Sequence, residues 1–533
     1  MSADPAGAGA DHPPHARLRW TTFAALAFGH ILLVSTLRLY PFTDLPFHLA
    51  AATVVKHLHD PGTAFGAFFT VDLFPKPNVF HILVCSTLFT PEAANRLLVS
   101  AYVLAVPLAS FLIVRRLGGN PWIALLSFLT LYNFNLGWGF MGYSLAVPVV
   151  LFFLYALLAY DRAPNPRDGT VLALLGVFLF ALHVLAALFI LGVFGLTLLL
   201  RLRSGPSSLL RYAIPIAPLG LLFLAWWTLD PEGSSSATIG FLGDYYRDTY
   251  LPTFVKRIKF YHFDNRQLFA GRAGYFAAFL FYAPVFFTVL GFWIVRGRSW
   301  FPTAFSRHRP LLAFLAVALA CFLLLPDRIP RQWFLYERFL VFVALGALFV
   351  ASLAVPRRAP RPVSWAILAL TGVHLLLYAD YFQGFERETA HFNRFLLPRE
   401  RDAVVAGIMF SDRYRGRPKY IHFPNYQIVW RHGIATTSLV DFRFSWVHRR
   451  EGGPDLPVYD AWLREKDGYD GRYDGCEYLL VRGEVPPSHE SALASFRTFA
   501  TAAPYDTSRA TWTLYRNVSH RPGREGRSGG TLD

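Results

Sequence analysis

Runs of apolar residues, many close to the roughly 20 needed to cross a bilayer, alternate along this chain with short polar connections. The first predicted span covers residues 20–39, behind Arg17 and Arg19. Residues 40–92 hold no clean span. Within them, 45–58 reads as a helix lying at a surface, with Thr43 or Asp44 as its cap and Pro46 tolerated in its first turn. Residues 78–90 are apolar but too short to cross, which predicts a re-entrant or interfacial segment. The second span is 93–114. The third begins at Pro121 and ends near Asn133 and Asn135, and a glycine- and aromatic-rich turn at 137–143 leads into a fourth that ends at Tyr160. Residues 170–200 are too long for one crossing and read as two short ones meeting near His183. A seventh span at 209–229 precedes a polar loop from Asp230 to Arg272. Further spans end at Arg296, at Pro326, before Arg357 and, for 363–379, at Ala379. The pattern predicts an α-helical polytopic membrane protein of about 11 spans.

Charge gives these runs an orientation. Of 533 residues, 54% are hydrophobic, 17% aromatic and only 16% charged, with a mean hydropathy of +0.34. A soluble domain carries about a quarter charged residues. The net charge of +16 sits in arginine clusters at alternate connections, among them Arg115 with Arg116, Arg162 with Arg167, Arg296 to Arg309 and Arg357 to Arg361. That distribution marks cytoplasmic loops and not a nucleic-acid face. It sets the amino terminus inside and everything after Asp380 outside. Cys85, Cys321 and Cys476 are too widely spaced for a disulfide framework or a zinc site. Tyr40-Pro41-Phe42 offers no cleavage motif, so the first span reads as a retained anchor.

Four regions follow. Residues 1–16 and 518–533 are expected as disordered tails. Residues 17–380 form the membrane domain, with 40–92 as its first outer loop, and 381–517 an extracytoplasmic α/β domain. In that domain 403–410, 435–440, 478–482 and 511–515 read as strands, and 386–395, 425–432 and 490–499 as helices.

Chemistry is expected on the outward loops. His48 follows Asp44 by one helical turn, a spacing at which two side chains share a proton or a metal. Asp44 before a proline-containing first turn is equally an ordinary helix cap, and spacing alone favours that. The stretch Thr43-Asp44-Leu45-Pro46-Phe47-His48-Leu49-Ala50 resembles the Asp-x-Pro-x-His-Leu-Ala pattern after the first span of uncharacterised bacterial members of the GT-C superfamily. These are polytopic glycosyltransferases that take a sugar from a polyprenyl-phosphate carrier. Leu325-Pro326 followed by Tyr336-Glu337-Arg338-Phe339 is similar to a recurring late-loop pattern there.

The resemblance implies an inverting glycosyltransferase of the bacterial inner (plasma) membrane. Its donor is a polyprenyl-phosphate sugar, and its acceptor an extracytoplasmic glycan, lipid or protein. Asp44 is the implied base and His48 its orienting partner. Arg331 and Arg338 clamp the carrier phosphate with Glu337 beside them, a task that suits the guanidinium fork. The same arginines also read as interfacial snorkels salt-bridged to Glu337. Asp72 and Lys76 lie on the first outer loop, where the superfamily often has a second acid, or are plain loop residues. His183 is a substrate contact or a satisfied core histidine. His262 and Asp264 form a His-x-Asp pair able to meet sugar or metal, although two ligands are too few to define a metal site. Trp138, Phe140 and Tyr143 suit a sugar face or an interfacial belt. A divalent cation, magnesium or manganese, stays open, because both kinds of branch exist and no paired acid adjoins Asp44.

Two other classes remain, a lipid or glycan flippase or transporter and a catalytically degenerate scaffold. Span interiors nearly devoid of Asp, Glu, Lys and Arg argue against ion-coupled transport, but not against lipid scrambling.

Overall fold

The structure is a computed structural model. It describes residues 13–73, 76–201, 212–229, 246, 254, 257, 308–329, 332–355, 361–436, 445–454, 476–490, 493–503 and 510–519. Arg331, His262, Asp264, the predicted eighth span and the residues beyond 519 lie outside the described residues. The chain forms two compact units.

The first unit comprises Met1–Leu37, Pro77–Phe80 and Arg96–Tyr381, and is helical. Among the described residues of the whole chain, five helices are long and apolar enough to cross a membrane: Arg17–Ser35, Pro91–Leu117, Met141–Arg162, Tyr336–Leu353 and Arg361–Thr389. Val184–Leu199, Ile214–Trp226 and Arg309–Leu324 are apolar but shorter. The first helix covers Pro13–Ser35 and so reaches ahead of the predicted boundary. It stops at Ser35, where the Ser35 and Thr36 hydroxyls donate back to the Leu32 carbonyl.

The predicted third span is no continuous helix. A short turn at Pro121–Ala124 passes into a 3-10 stretch at Leu125–Thr130, and a separate helix at Phe134–Trp138 follows. Two asparagines punctuate it. Asn120 accepts from the Trp122 N–H and Asn133 from the Asn135 N–H, and Gly139 closes the second helix in the left-handed region at φ 83°. The two short helices expected around His183 are present as Pro166–Leu182 and Val184–Leu199.

Histidines occupy the interior of this unit although its spans read as nearly uncharged. His30 and His374 are fully buried, and His30 Nδ1 lies 2.9 Å from the Tyr132 hydroxyl. Tyr378 donates to the Tyr132 carbonyl at 2.9 Å. The contacts of Tyr132 with His30 and Tyr378 are polar ties of the kind that hold helices together where water is absent.

The second unit comprises Arg38–Lys76, His81–Asn95 and Phe382–Asp533. Most of the loop assigned by sequence to the membrane domain, 40–92, therefore packs in one unit with the carboxyl-terminal region. The causes are specific. Strand Phe69–Val71 pairs antiparallel with Val447–Arg449, Phe69 opposite Arg449. Thr43 Oγ1 donates to the Pro418 carbonyl at 2.7 Å, the Arg38 guanidinium to the carbonyls of Phe392 and Thr389, and the Leu39 N–H to Glu386 Oε1 at 2.7 Å. The predicted last span also runs on to Thr389, since no proline interrupts it past its start, and residues from Phe382 belong to this second unit.

The unit's main sheet has five strands in the order Phe496–Ala502, Trp512–Asn517, Tyr478–Arg482, Val404–Met409, Ile434–Ala435. Val404–Met409 runs parallel to both neighbours, and the other pairs are antiparallel. Its run Val-Val-Ala-Gly-Ile-Met is buried almost throughout, as a central parallel strand requires. Gly407 is obligatory there, because a Cβ would stand 2.1 Å from Pro424 Cγ. The expected helix at 490–499 is instead a four-residue turn of helix, Pro487–Glu490, followed by strand Phe496–Ala502. Its Phe-Arg-Thr-Phe-Ala-Thr sequence suits a strand, and pairing to Trp512–Asn517 overrides weak helix propensity.

Candidate functional site

Asp44 stands at the entrance of helix Leu45–His57, with proline in the first turn, and its side chain makes no capping hydrogen bond. The carboxylate turns instead to His422, with Oδ1 3.5 Å from Nε2. The two side chains are 22% and 14% exposed, so the pair is sheltered yet reachable. At that distance it is an ion-pair contact and not a tight hydrogen bond. Thr43 next door is pinned to Pro418, and His422 precedes the 3-10 turn Phe423–Asn425, with its carbonyl accepting from Asn425. Both partners are thus set by the packing of the loop at Asp44 on the stretch 418–425.

His48 donates its backbone N–H to the Asp44 carbonyl, as its place one turn along requires. Its ring stands 5.7 Å from His81 and 6.4 Å from Trp446, centroid to centroid. The imidazole described against the Asp44 carboxylate is His422, which no motif singles out. Behind His48, buried His81 lies 3.0 Å from Asn95 Oδ1 through Nε2, with Cys85 Sγ 3.6 Å away. Burial lowers His81 to about 4 and, with Glu92 nearby, pushes the Cys85 thiol up to about 12. His81 is accordingly a neutral imidazole near pH 7.

Asp72 and Lys76 come together, but in a structural arrangement. Lys76 Nζ donates to the Ser445 carbonyl at 3.1 Å and His448 Nε2 at 2.8 Å, and lies 3.2 Å from Asp72 Oδ2. An ammonium has three donors, and these acceptors account for three. The cluster locks the residues after strand Phe69–Val71 to its partner strand.

In the helical unit, Arg338 and His183 meet. Arg338 NH1 is 3.2 Å from His183 Nε2, its Nε donates to the Phe334 carbonyl at 3.0 Å, and its guanidinium carbon lies 3.9 Å over the Phe140 ring. Arg338 is buried, which is not the posture of a snorkelling side chain. His183 caps helix Val184–Leu199, with Nδ1 accepting from the Leu185 N–H. Glu337 is also buried, and its Oε2 has no hydrogen-bond partner among the described residues. Trp138 packs on Phe334 at 4.6 Å and Tyr143 on His183 at 5.0 Å.

The fold and these sites define a mostly helical protein with several helices fit to cross a membrane and a carboxyl-terminal sheet region. Among the described residues, no three of His, Cys, Asp and Glu form a group able to hold a metal ion. No protein-family model matches the chain, and no curated protein matches it.

Proposed function

We propose that the chain is an integral membrane glycosyltransferase that moves a sugar from a polyprenyl-phosphate-linked donor to an extracytoplasmic cell-envelope acceptor, with Asp44 as general base. The observation that carries this reading is the Asp44 carboxylate, which stands at a helix entrance without capping it and faces an imidazole. Held by His422 through Oδ1, the carboxylate keeps Oδ2 for a substrate proton.

Asp44 takes the proton of the acceptor hydroxyl as that oxygen attacks the anomeric carbon. The bond from the anomeric carbon to the phosphate oxygen breaks, its electron pair stays on the lipid-borne phosphate, and the configuration inverts. Arg331 and Arg338 keep the role that the resemblance implies, as cationic donors to that leaving phosphate. Zinc takes three or more protein ligands, and magnesium takes one or two carboxylates together with phosphate oxygens. Asp44 and His422 alone fall short of a zinc site, whereas the Asp44 carboxylate together with the donor's phosphate oxygens would suit magnesium, which would screen the leaving phosphate's charge. The finer topology, about 11 spans with the amino terminus cytoplasmic and the second unit outside the bacterial plasma membrane, rests on the arginine alternation.

The test is radiolabelled transfer from a polyprenyl-phosphate sugar into a membrane extract. Asp44→Asn should lower the rate by about 10²- to 10⁴-fold with an unchanged melting profile. Wild-type rates in that variant would remove Asp44 from the chemistry.

A further inference from the structure

We propose that one face of the second unit rests on the anionic headgroups of the bilayer that the chain's own helices cross. The face is built on the exposed side chains of Leu88, Phe89 and Phe395, with Arg394, Arg399 and Arg431 grouped near the last of them. The inference needs the membrane reading of the apolar helices and is independent of the sugar chemistry.

Helix Phe80–Thr87 ends just before Phe89, whose φ of 52° lies in the left-handed region that helix ends commonly give to glycine. A residue with a Cβ is strained there, and this one carries a ring that is 70% exposed. The Lys56 ammonium donates to the Phe89 carbonyl and holds the turn. The chain thus keeps a large aromatic side chain where the backbone favours glycine and water disfavours the ring. Entry of the ring into hydrocarbon offsets both. Phe89 also stands just before Pro91–Leu117, one of the helices fit to cross a membrane. That is the level at which aromatic side chains gather in membrane proteins.

Phe395 is a second such ring, 68% exposed, with its N–H donating to Asn393 Oδ1 at 2.8 Å. It comes shortly after the end of Arg361–Thr389, another helix fit to cross. A short series of contacts links the two rings. Trp430 Nε1 donates to Glu92 Oε1 at 3.1 Å, close to Phe89 in the chain, and Arg431 Nε donates to the Arg394 carbonyl at 2.9 Å. Charge names the partner. The Arg394 guanidinium lies 5.1 Å over the Phe395 ring. Burial and then the like charges of Arg399 and Arg394 lower the pKa of Arg431. Glu400, next in the chain, receives the Tyr478 hydroxyl at 3.5 Å. Guanidiniums held close enough to repel one another gain when an anion stands among them. A lipid phosphate at the edge of a hydrocarbon layer supplies the anion and the apolar medium together.

The experiment uses full-length protein in nanodiscs, with para-fluorophenylalanine in place of Phe89 or of Phe395, which keeps the ring. The ¹⁹F signals are read against a paramagnetic label on lipid acyl chains and, separately, against a paramagnetic chelate in water. In discs of phosphatidylcholine with phosphatidylglycerol, both signals should broaden with the lipid label and resist the chelate. Arg394→Gln combined with Arg399→Gln removes two exposed charges and leaves the Arg394 carbonyl in place. It should shift the Phe395 signal toward the chelate by about fivefold for each charge lost. Added salt should act in the same direction on the wild type, as should discs of phosphatidylcholine alone. Broadening by the chelate alone at either ring would put that ring in water and overturn the proposal. Silence toward both reagents would mean that protein, such as a second copy of the chain, covers the face, which is equally fatal. Lipid contact that ignores both the arginines and the lipid charge would reduce the face to an apolar wedge and remove the headgroup recognition. If the double variant fails to fold, the comparison of the two lipid compositions on the wild type decides the same point.

Discussion

In the helical unit, Arg201 reaches Asp161 at the end of helix Met141–Arg162, with Nε 2.7 Å from Oδ1, and the Tyr212 hydroxyl donates to the same oxygen at 3.1 Å. In the mixed unit, Arg482 is 1% exposed and joins Glu388 at 2.6 Å, the backbone and hydroxyl of Ser411, and the faces of Tyr420 and Trp512. The first is a staple at a helix end. The second ties a helix end and the strand Tyr478–Arg482 together through the middle of a packed core. The difference follows from what each unit must satisfy. A helix closes its own backbone bonds and needs polar side chains only at its ends and breaks, whereas a small sheet with long irregular connections must anchor them with side chains.

Breaking each charge pair is the sharpest way to test that contrast. Arg482→Ala should destabilise the protein by about 2–4 kcal/mol, because it removes a buried guanidinium with its ties to Glu388, Ser411 and the faces of Tyr420 and Trp512, although the Tyr420 hydroxyl still donates to half-buried Glu388. Arg201→Met should cost about 1–3 kcal/mol, since Tyr212 still donates to Asp161. Thermal or denaturant midpoints read both, and equal losses would erase the distinction between core tie and end staple.

A further effect is expected from protons. An unfolded histidine titrates near 6.5, and burial holds folded His81 at about 4. Between those values the unfolded chain binds the additional proton, so stability is complete above about pH 6.5 and falls by roughly 3 kcal/mol toward pH 4. His81→Gln keeps a partner for Asn95 and cannot charge, so its melting temperature should vary less over that window. A slope identical to wild type would place the acid sensitivity elsewhere. Smallest is the orienting role of His422. His422→Phe should slow sugar transfer by about 10- to 100-fold without the near-complete loss expected for Asp44→Asn, and equal losses would make the imidazole itself a reacting group.

Legibility in the sequence follows the range of the interactions. The helix at Leu45–His57 and the pair broken at His183 were readable, because apolar length, proline placement and a capping side chain are local signals. The strand at Phe496–Ala502 was not, because pairing with a strand elsewhere in the chain decides between its strand character and a weak helix propensity. Nor did the chain order disclose that Phe69–Val71 pairs with Val447–Arg449, which draws the loop at Asp44 into the carboxyl-terminal unit. Asp44 is singled out by a local motif. His422 was a lone histidine in an aromatic stretch, and His81 with Asn95 carried no spacing that marks a pair. Only the fold brings these groups into contact.

The two helices that meet at His183 have 17 and 16 residues. At 1.5 Å per residue each reaches about 24–26 Å, short of the roughly 30 Å of bilayer hydrocarbon. Set across a membrane, such a pair leaves the lipid tails taller than the protein beside them, and the bilayer must thin locally to meet it. Acyl-chain length would then act on this protein as a mechanical variable, with shorter-tailed lipids relaxing the mismatch and longer-tailed ones loading it.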